Sequence, residues 1–493
     1  MGWLYRNLDH RIINSMENQT PHKKSISQVI DSFRQAERWL FTLIKDPTGQ
    51  RYFQQKSMEV RMEEFTEQIE RMQAFMDFCS NPEKKFPSIH VAGTSGKGSV
   101  VRLIAGILSA SGLRVGYHVS PYLQVCNEKL IVDNIMISPS EFTALVEDFK
   151  GKYQDWLTNH KTYDSLKYGE AWVALTMLWM AKQQVDWAVI ETGLGGRYDP
   201  TNVVPSKLAV ITNVNYDHTE VLGEELTQIA DHKAGIIKPN SLAITAETNP
   251  EVLAVIELEA KRKHSRLFRL GKEFDYHVEQ DGDTLLLEVK GVYQTYRDLR
   301  IAMKGEFQYA NAALAVASVD LLAGAGLLST TKEQVRQGVQ VQFPGRFEVV
   351  QENPWVILDG AHNQHKAAAL ANSLKHAFPD QKMTVVLGTL SIKDFSGIVQ
   401  ALAPITKRWV ATQPKVLGKP SASPEILAEA IRAVMPDAEV HQSDDVRSAI
   451  QLAHQLVAED EVILVTGSLY MLGDARSMWY PVNQILKDLE DQV

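Results

Sequence analysis

Cysteine is almost missing from this chain. Cys79 and Cys126 are the only two, and neither stands in a paired metal or redox motif, so a reducing cytoplasm is the expected compartment. No apolar run reaches the roughly 18 residues that a membrane helix needs. Positive charge is not in excess either. A net charge of −9 argues against general nucleic-acid binding and against an anionic membrane surface. It leaves room for a nucleotide substrate, which requires only local positive charge. Residues 1–54 begin with scattered charges and no long apolar segment, so no secretory leader is expected. Arg6 stands where myristoylation of Gly2 would need Ser or Thr. Internal repeats and low-complexity tracts are lacking. The expectation is a monomer acting on small molecules.

What is present is ordinary soluble composition, with 44% hydrophobic and 23% charged residues over 493 positions. That length exceeds one core and predicts two large domains or three smaller ones.

The stretch from Val91 to Val100, Val-Ala-Gly-Thr-Ser-Gly-Lys-Gly-Ser-Val, carries the strongest local signal. An apolar strand precedes it and an apolar-periodic helix from Val101 to Leu113 follows. A strand, a Gly-rich turn with Gly-Lys and Ser, and a helix make a phosphate-binding loop. Glycines let backbone N–H groups face one anion, the helix terminus adds its dipole, and Lys97 adds a point charge. The spacing departs from the usual Walker pattern, because only Thr94 and Ser95 separate Gly93 from Gly96.

Strands and helices alternate around this loop. Strands are predicted at 87–92, 113–119, 187–191 and 208–212. Helices are predicted at 29–44, 62–78, 138–150, 168–183, 224–237 and 306–324. From 242 to 301 short alternating runs suggest a sheet edge or a small β-subregion. A junction falls at Gln342-Phe343-Pro344-Gly345-Arg346. Beyond it the alternation restarts and predicts a second doubly wound parallel sheet, with strands near 355–358, 384–387, 408–412, 439–441 and 462–465. The predicted organisation is an extension and first helix over 1–54, a central domain over 55–341 and a C-terminal domain over 345–493.

In parallel sheets the strand ends face the ligand crevice. Ser120 follows the second strand, Glu191 ends another, and Asp217 and His218 lie just past a third. A hydroxyl, a carboxylate and an imidazole near phosphates suit magnesium, which keeps several waters. Lys233 interrupts the apolar stripe of Leu222, Leu226, Ile229 and Ala230. A lysine there either snorkels or has a chemical role.

Several motifs then stand in order: Gly93 to Ser99, Ser120-Pro121-Tyr122-Leu123, Glu191-Thr192-Gly193-Leu194-Gly195-Gly196-Arg197, Asp217-His218-Thr219, Lys233-Ala234-Gly235-Ile236, Pro344-Gly345-Arg346 and Asp359-Gly360-Ala361-His362-Asn363. Together they resemble the folylpolyglutamate synthase/dihydrofolate synthase branch of the Mur ligase family, over about residues 89–476. The resemblance implies two α/β doubly wound domains, an N-terminal P-loop ATPase-like one with a mainly parallel sheet and a smaller Rossmann-like one. It implies an ATP-dependent ligase that adds L-glutamate to a folate, or to dihydropteroate, through an acyl phosphate.

Carried over residue by residue, Thr94, Ser95, Gly96, Lys97, Gly98 and Ser99 would hold the ATP phosphates, with Asn311, Arg346 and Asp359 as further nucleotide contacts. Ser120, Glu191 and His218 would be magnesium ligands. Lys233 matches the lysine that in this family carries a carbamate reaching the metal, and burial favours the neutral amine which carbamylation requires. His362 and Ser468 would lie near the glutamate, and Lys97, Lys233 and His362 would be the catalytic groups. Departures fall at Ser95, where the family usually has Asn or Lys, at Phe307, usually His, and at Lys129, often Arg. The family's usual approach to the first strand is not evident in Ser57 to Met62, a region that shapes the pterin side with the loop after Ser120. A Mur-type ligase acting on another carboxylate is the alternative. The intact Lys97, Glu191, His218 and Lys233 argue against a binding protein without ligase activity.

Overall fold

Ser88–Ala92 is buried at every position, as a central parallel strand must be. This strand, β1, organises the first sheet of the computed structural model, which describes residues 25–54, 56–160, 162–281, 284–458 and 461–492. The expected extension over 1–24 lies outside the described residues. The sheet also contains β2 (Val115–His118), β3 (Ile131–Val132), β4 (Ile135–Met136), β5 (Trp187–Glu191), β6 (Leu208–Ile211), β7 (Leu242–Thr245) and β8 (Arg266–Arg269). Its order is β4-β3-β2-β5-β1-β6-β7-β8. Strands β2, β5, β1, β6, β7 and β8 run parallel, and β3 and β4 close one edge as an antiparallel pair. The chain winds to one side of β1 through β2 and β5 and to the other through β6. The C-terminal ends of β1, β5 and β6 therefore share one crevice.

The region from 242 to 301 contains both of the arrangements its short alternating runs suggested, a sheet edge and a small β-subregion. Strands β7 and β8 extend the main sheet, linked by the helix Pro250–Arg262. Only β9 (Asp275–Asp281), β10 (Thr284–Lys290) and β11 (Thr295–Leu299) form the separate sheet, and it is antiparallel. Arg266 and Arg269 on β8 read as polar because β8 is the outermost strand, where one side meets solvent.

The first described helix, Ile26–Phe41, starts earlier than its apolar pattern, because Ser25 and Gln28 form a capping box that satisfies free N–H groups of its first turn. Its buried residues Val29, Phe33, Ala36 and Leu40 form one helical stripe. Phe33 meets Phe142 of the helix Pro139–Asn159 with ring centroids 5.0 Å apart.

The second sheet comprises β12 (Glu348–Glu352), β13 (Trp355–Leu358), β14 (Met383–Leu387), β15 (Thr406–Ala411), β16 (Glu439–Gln442) and β17 (Val462–Thr466), in the order β12-β13-β17-β14-β15-β16. It is mixed rather than wholly parallel. Strand β12, absent from the sequence reading, pairs antiparallel with β13, and the two-residue turn Asn353-Pro354 connects Glu352 to its partner Trp355. The two sheets are not wholly independent. The last helix, Val482–Glu490, places Leu486 in the apolar cluster around Phe33 and Trp172. Arg34 donates to Asn483 at 2.8 Å, and the Ser140 N–H donates to Glu490 at 3.0 Å. On the opposite side the Gly418 N–H donates to the Pro47 carbonyl at 2.8 Å. Among the described residues no helix is long and apolar enough to cross a membrane.

Candidate active site

The Gly-rich turn after β1 is clamped by the segment after β6. The Thr94 N–H donates to the Asn213 carbonyl at 2.9 Å, and the Ser95 N–H donates to Asn213 Oδ1 at 3.0 Å. Thr212 Oγ1 donates to the Ser95 carbonyl at 2.6 Å. A Cβ on Gly93 would lie 1.8 Å from Thr212 Oγ1, so this contact requires glycine. Gly96 has φ +80° and caps the helix Lys97–Ala110. A Cβ there would lie 2.2 Å from Asn311 Oδ1. Asn311 is thereby placed against the loop, with its Nδ2 donating to Gln308 Oε1 at 2.9 Å.

Glu191, at the end of β5, turns into the same crevice. Its Oε2 accepts from the Ser120 N–H at 3.1 Å, and its Oε1 lies 3.9 Å from Lys97 Nζ. Burial raises the carboxyl pKa and outweighs the opposing pull of Lys97 and the Ser120 N–H. The turn just before β12 brings in Arg346, whose pKa burial lowers against the pull of Asp359 and Glu191. Asp359, past β13, accepts from the Phe347 and Ala361 N–H groups, each at 2.8 Å.

Lys233 sits on the helix Leu226–Ala234 and is 3% exposed. Its amine has no hydrogen-bond partner among the described residues. Burial, reinforced by Lys97 and opposed by Asp217, lowers its pKa to about 7. A snorkelling lysine would reach water and keep an ordinary value, so the sequence alternative of a solvated side chain does not describe it.

His218 adopts φ +53°. Its direct partners are Glu220 at 3.4 Å and Asp217 at 3.8 Å, not Glu191 or Ser120. Asp217 is the centre of a cluster that joins the two sheets. Lys393 lies 2.7 Å from it, Lys366 3.8 Å and His362 3.9 Å. Burial disfavours the Asp217 carboxylate, yet Lys366, His218, Lys393 and His362 together hold its pKa well below the usual range. Ser468 caps the helix Leu469–Arg476 and accepts from the Tyr470 N–H. Its neighbour Gly467 donates to the Ala361 carbonyl at 3.0 Å, which sets Ser468 in the loop adjoining His362. Among the described residues no three His, Cys, Asp or Glu side chains gather as a metal cluster.

Comparison with known proteins identifies the family and the fold. Residues 91–319 match the Mur ligase middle domain, and residues 345–469 match the Mur ligase glutamate ligase domain. The dihydrofolate synthase/folylpolyglutamate synthase of Bacillus subtilis (strain 168) is 34% identical over 428 residues, covering 82% of this chain and 93% of that protein. The chain belongs to the dihydrofolate synthase/folylpolyglutamate synthase family of Mur ligases. Its structure resembles Mycobacterium tuberculosis folylpolyglutamate synthase complexed with ADP, with a TM-score of 0.82, 31% identity and coverage of 92% and 99% of the two chains. It also resembles a bifunctional folylpolyglutamate synthase/dihydrofolate synthase with Mn, AMPPNP and L-glutamate bound, with a TM-score of 0.72, 28% identity and coverage of 84% and 94%.

In this Mur ligase the sequence pattern missed two site cations, Lys366 and Lys393. Lys366 could have been found, because it stands in the first turn of the helix Gln364–Ala377, which starts directly after the Asp-Gly-Ala-His-Asn stretch. Its Nζ lies 3.0 Å from His362 Nε2. Lys393 sits in the loop after β14 and carries no local signal. Tertiary folding alone brings it to Asp217.

Proposed function

We propose that this protein is an ATP-dependent ligase that joins L-glutamate to a folate, or to dihydropteroate, through an acyl phosphate. The convergence of the phosphate loop, buried Glu191 and buried Lys233 on a crevice closed from the other sheet by Arg346, Asp359, His362 and Lys393 carries this reading. Residues 55–341 would bind ATP, and the unit beginning at 345 would bring the amino acid.

The N–H groups of Thr94 to Ser99 and the Lys97 ammonium would hold the ATP phosphates, with Asn311, Arg346 and Asp359 completing the nucleotide site. A carboxylate oxygen of the folate attacks the γ-phosphorus, ADP leaves, and an acyl phosphate forms. The neutral amine of glutamate attacks the acyl carbon, and the tetrahedral intermediate expels inorganic phosphate to leave an amide. Positive groups fixed in the crevice stabilise the charge that develops in both steps.

Ser120 and Glu191, joined by the Ser120 N–H, would hold a magnesium ion, and His218, whose own partners are Glu220 and Asp217, would complete the set. Glu191 supplies a buried carboxylate beside Lys97, and the donor set is one that leaves positions for phosphate oxygens and water. When bound, the ion would neutralise phosphate charge. Lys233 would carry a carbamate. Its buried, partnerless amine with a lowered pKa presents the neutral nitrogen that reacts with carbon dioxide.

Phosphate release from ATP in the presence of L-glutamate, with tetrahydrofolate, with dihydropteroate and with neither, tests the reading. Release that requires both glutamate and a pterin is expected. Release independent of any pterin would favour a Mur-type ligase for another carboxylate.

A further inference from the structure

The cluster around Asp217 is unbalanced in charge. Two lysines, Lys366 and Lys393, face one carboxylate. Lys97 and Arg346 add positive potential at Lys366. Lys366 and Lys393 are withdrawn from water, with side chains 21% and 11% exposed. With one carboxylate between two lysines, an anion arriving at Lys366 would hold its amine as an ammonium and complete the pairing.

The geometry identifies which lysine is free to receive it. Lys393 is in direct contact with Asp217 at 2.7 Å. Lys366 stands 3.8 Å from the same carboxylate and is parked against His362 Nε2 at 3.0 Å. His362 Nδ1 is 2.8 Å from the Gly360 carbonyl, which can only accept, so Nδ1 carries the proton and Nε2 accepts from Lys366. A neutral imidazole nitrogen is a weaker partner for an ammonium than a carboxylate is. The Lys366 backbone is fixed, because its N–H donates to Asn363 Oδ1 at 2.9 Å at the start of the helix Gln364–Ala377.

Resting on the ligase reading above, we propose that Lys366 is a specificity-determining residue that binds one of the two carboxylates of the incoming amino acid. Asp217 is released to face the amino acid's amine, and Lys393 pairs with the other carboxylate. A dicarboxylic amino acid thus matches two ammonium groups and one carboxylate with two carboxylates and one amine, and a neutral amino acid leaves Lys366 without a partner.

The test measures the KM for L-glutamate and for its two monoamides, L-glutamine and L-isoglutamine, in the unaltered protein and in Lys366→Gln, by phosphate release with ATP and the pterin saturating. Losing one charge-assisted contact should raise the KM for glutamate about 10- to 100-fold. The KM for one monoamide should stay unchanged, because that ligand already lacks the contact. An unchanged KM for ATP shows that the variant is folded. Should Lys366→Gln fail to fold, Lys366→Met removes the charge with an apolar side chain of similar length and serves the same comparison. A fall in kcat with unchanged glutamate KM would overturn the proposal and make Lys366 a positioning group for His362. An equal rise for glutamate and both monoamides would also overturn it. If the unaltered protein releases no glutamate-dependent phosphate, the ligase reading itself fails and this proposal falls with it.

Discussion

Gly96→Ala tests how the phosphate loop and Asn311 depend on each other. Gly96 has φ +80°, which costs an alanine about 1–2 kcal/mol. The new Cβ would lie 2.2 Å from Asn311 Oδ1, so the Asn311 side chain must leave. Its hydrogen bond to Gln308 at 2.9 Å is then lost, at about 1 kcal/mol. Together these terms destabilise the loop conformation shown here by about 2–3 kcal/mol, so the apparent KM for ATP should rise roughly 30- to 150-fold through loss of the competent state. The KM for the amino acid should change little. Asn311→Ala removes the obstructing oxygen. In that background Gly96→Ala should cost only the backbone strain, and the double variant should lose less than the sum of the two single effects. ATP-dependent phosphate release, titrated in ATP for all four proteins, measures this. Strict additivity would refute the steric account.

Lys97→Ala should abolish turnover with little change in melting temperature, since it removes charge aimed at phosphates and little packing; near-normal turnover would refute its role. Lys233→Ala should lose turnover and regain part of it with millimolar acetate, while carbon-dioxide-depleted unaltered protein should recover activity on addition of bicarbonate; full activity of Lys233→Ala without additives would show that no carbamate is needed. Glu170→Gln should destabilise the fold by about 1–3 kcal/mol in chemical denaturation, because Arg71 loses its buried ionic partner and keeps the half-exposed Glu67 at 2.7 Å. Arg71 and Glu170 are each 1% exposed and joined at 2.7 Å, and a melting curve close to that of the unaltered protein would count against that account. Burial lowers the pKa of Lys233 and Lys366 to about 7 and of Lys129 and Lys238 to about 8. The unfolded chain therefore binds more protons than the folded one above those values, and ligand-free stability should rise from pH 7 toward about 8.5, where free thiols start to ionise; a fall in melting temperature across that window would contradict the burial of these amines.

The sequence by itself determined the local chemistry of this protein. The Gly-Thr-Ser-Gly-Lys-Gly-Ser turn, the carboxylate at the end of β5 and the Asp-Gly-Ala-His-Asn stretch were legible because each depends on neighbouring residues at fixed spacing. The same is true of β1 and β5, whose apolar runs can only be buried parallel strands. Lys233 was visible as a break in an apolar stripe, but its burial was not, since periodicity cannot tell a snorkelling lysine from an enclosed one. The tertiary structure decided what lies across sequence distance. It decided that β7 and β8 join the main sheet while β9 to β11 form a separate one, and it added β12 through a reversal that no hydrophobic pattern announces. It returned the last helix to the first core, where Leu486 completes an apolar cluster begun by Phe33. It also made Asp217 the meeting point of Lys366, Lys393 and His362. Those charges come from three loops and one helix start of two different sheets, and charge attracts through space without leaving a periodic trace along the chain.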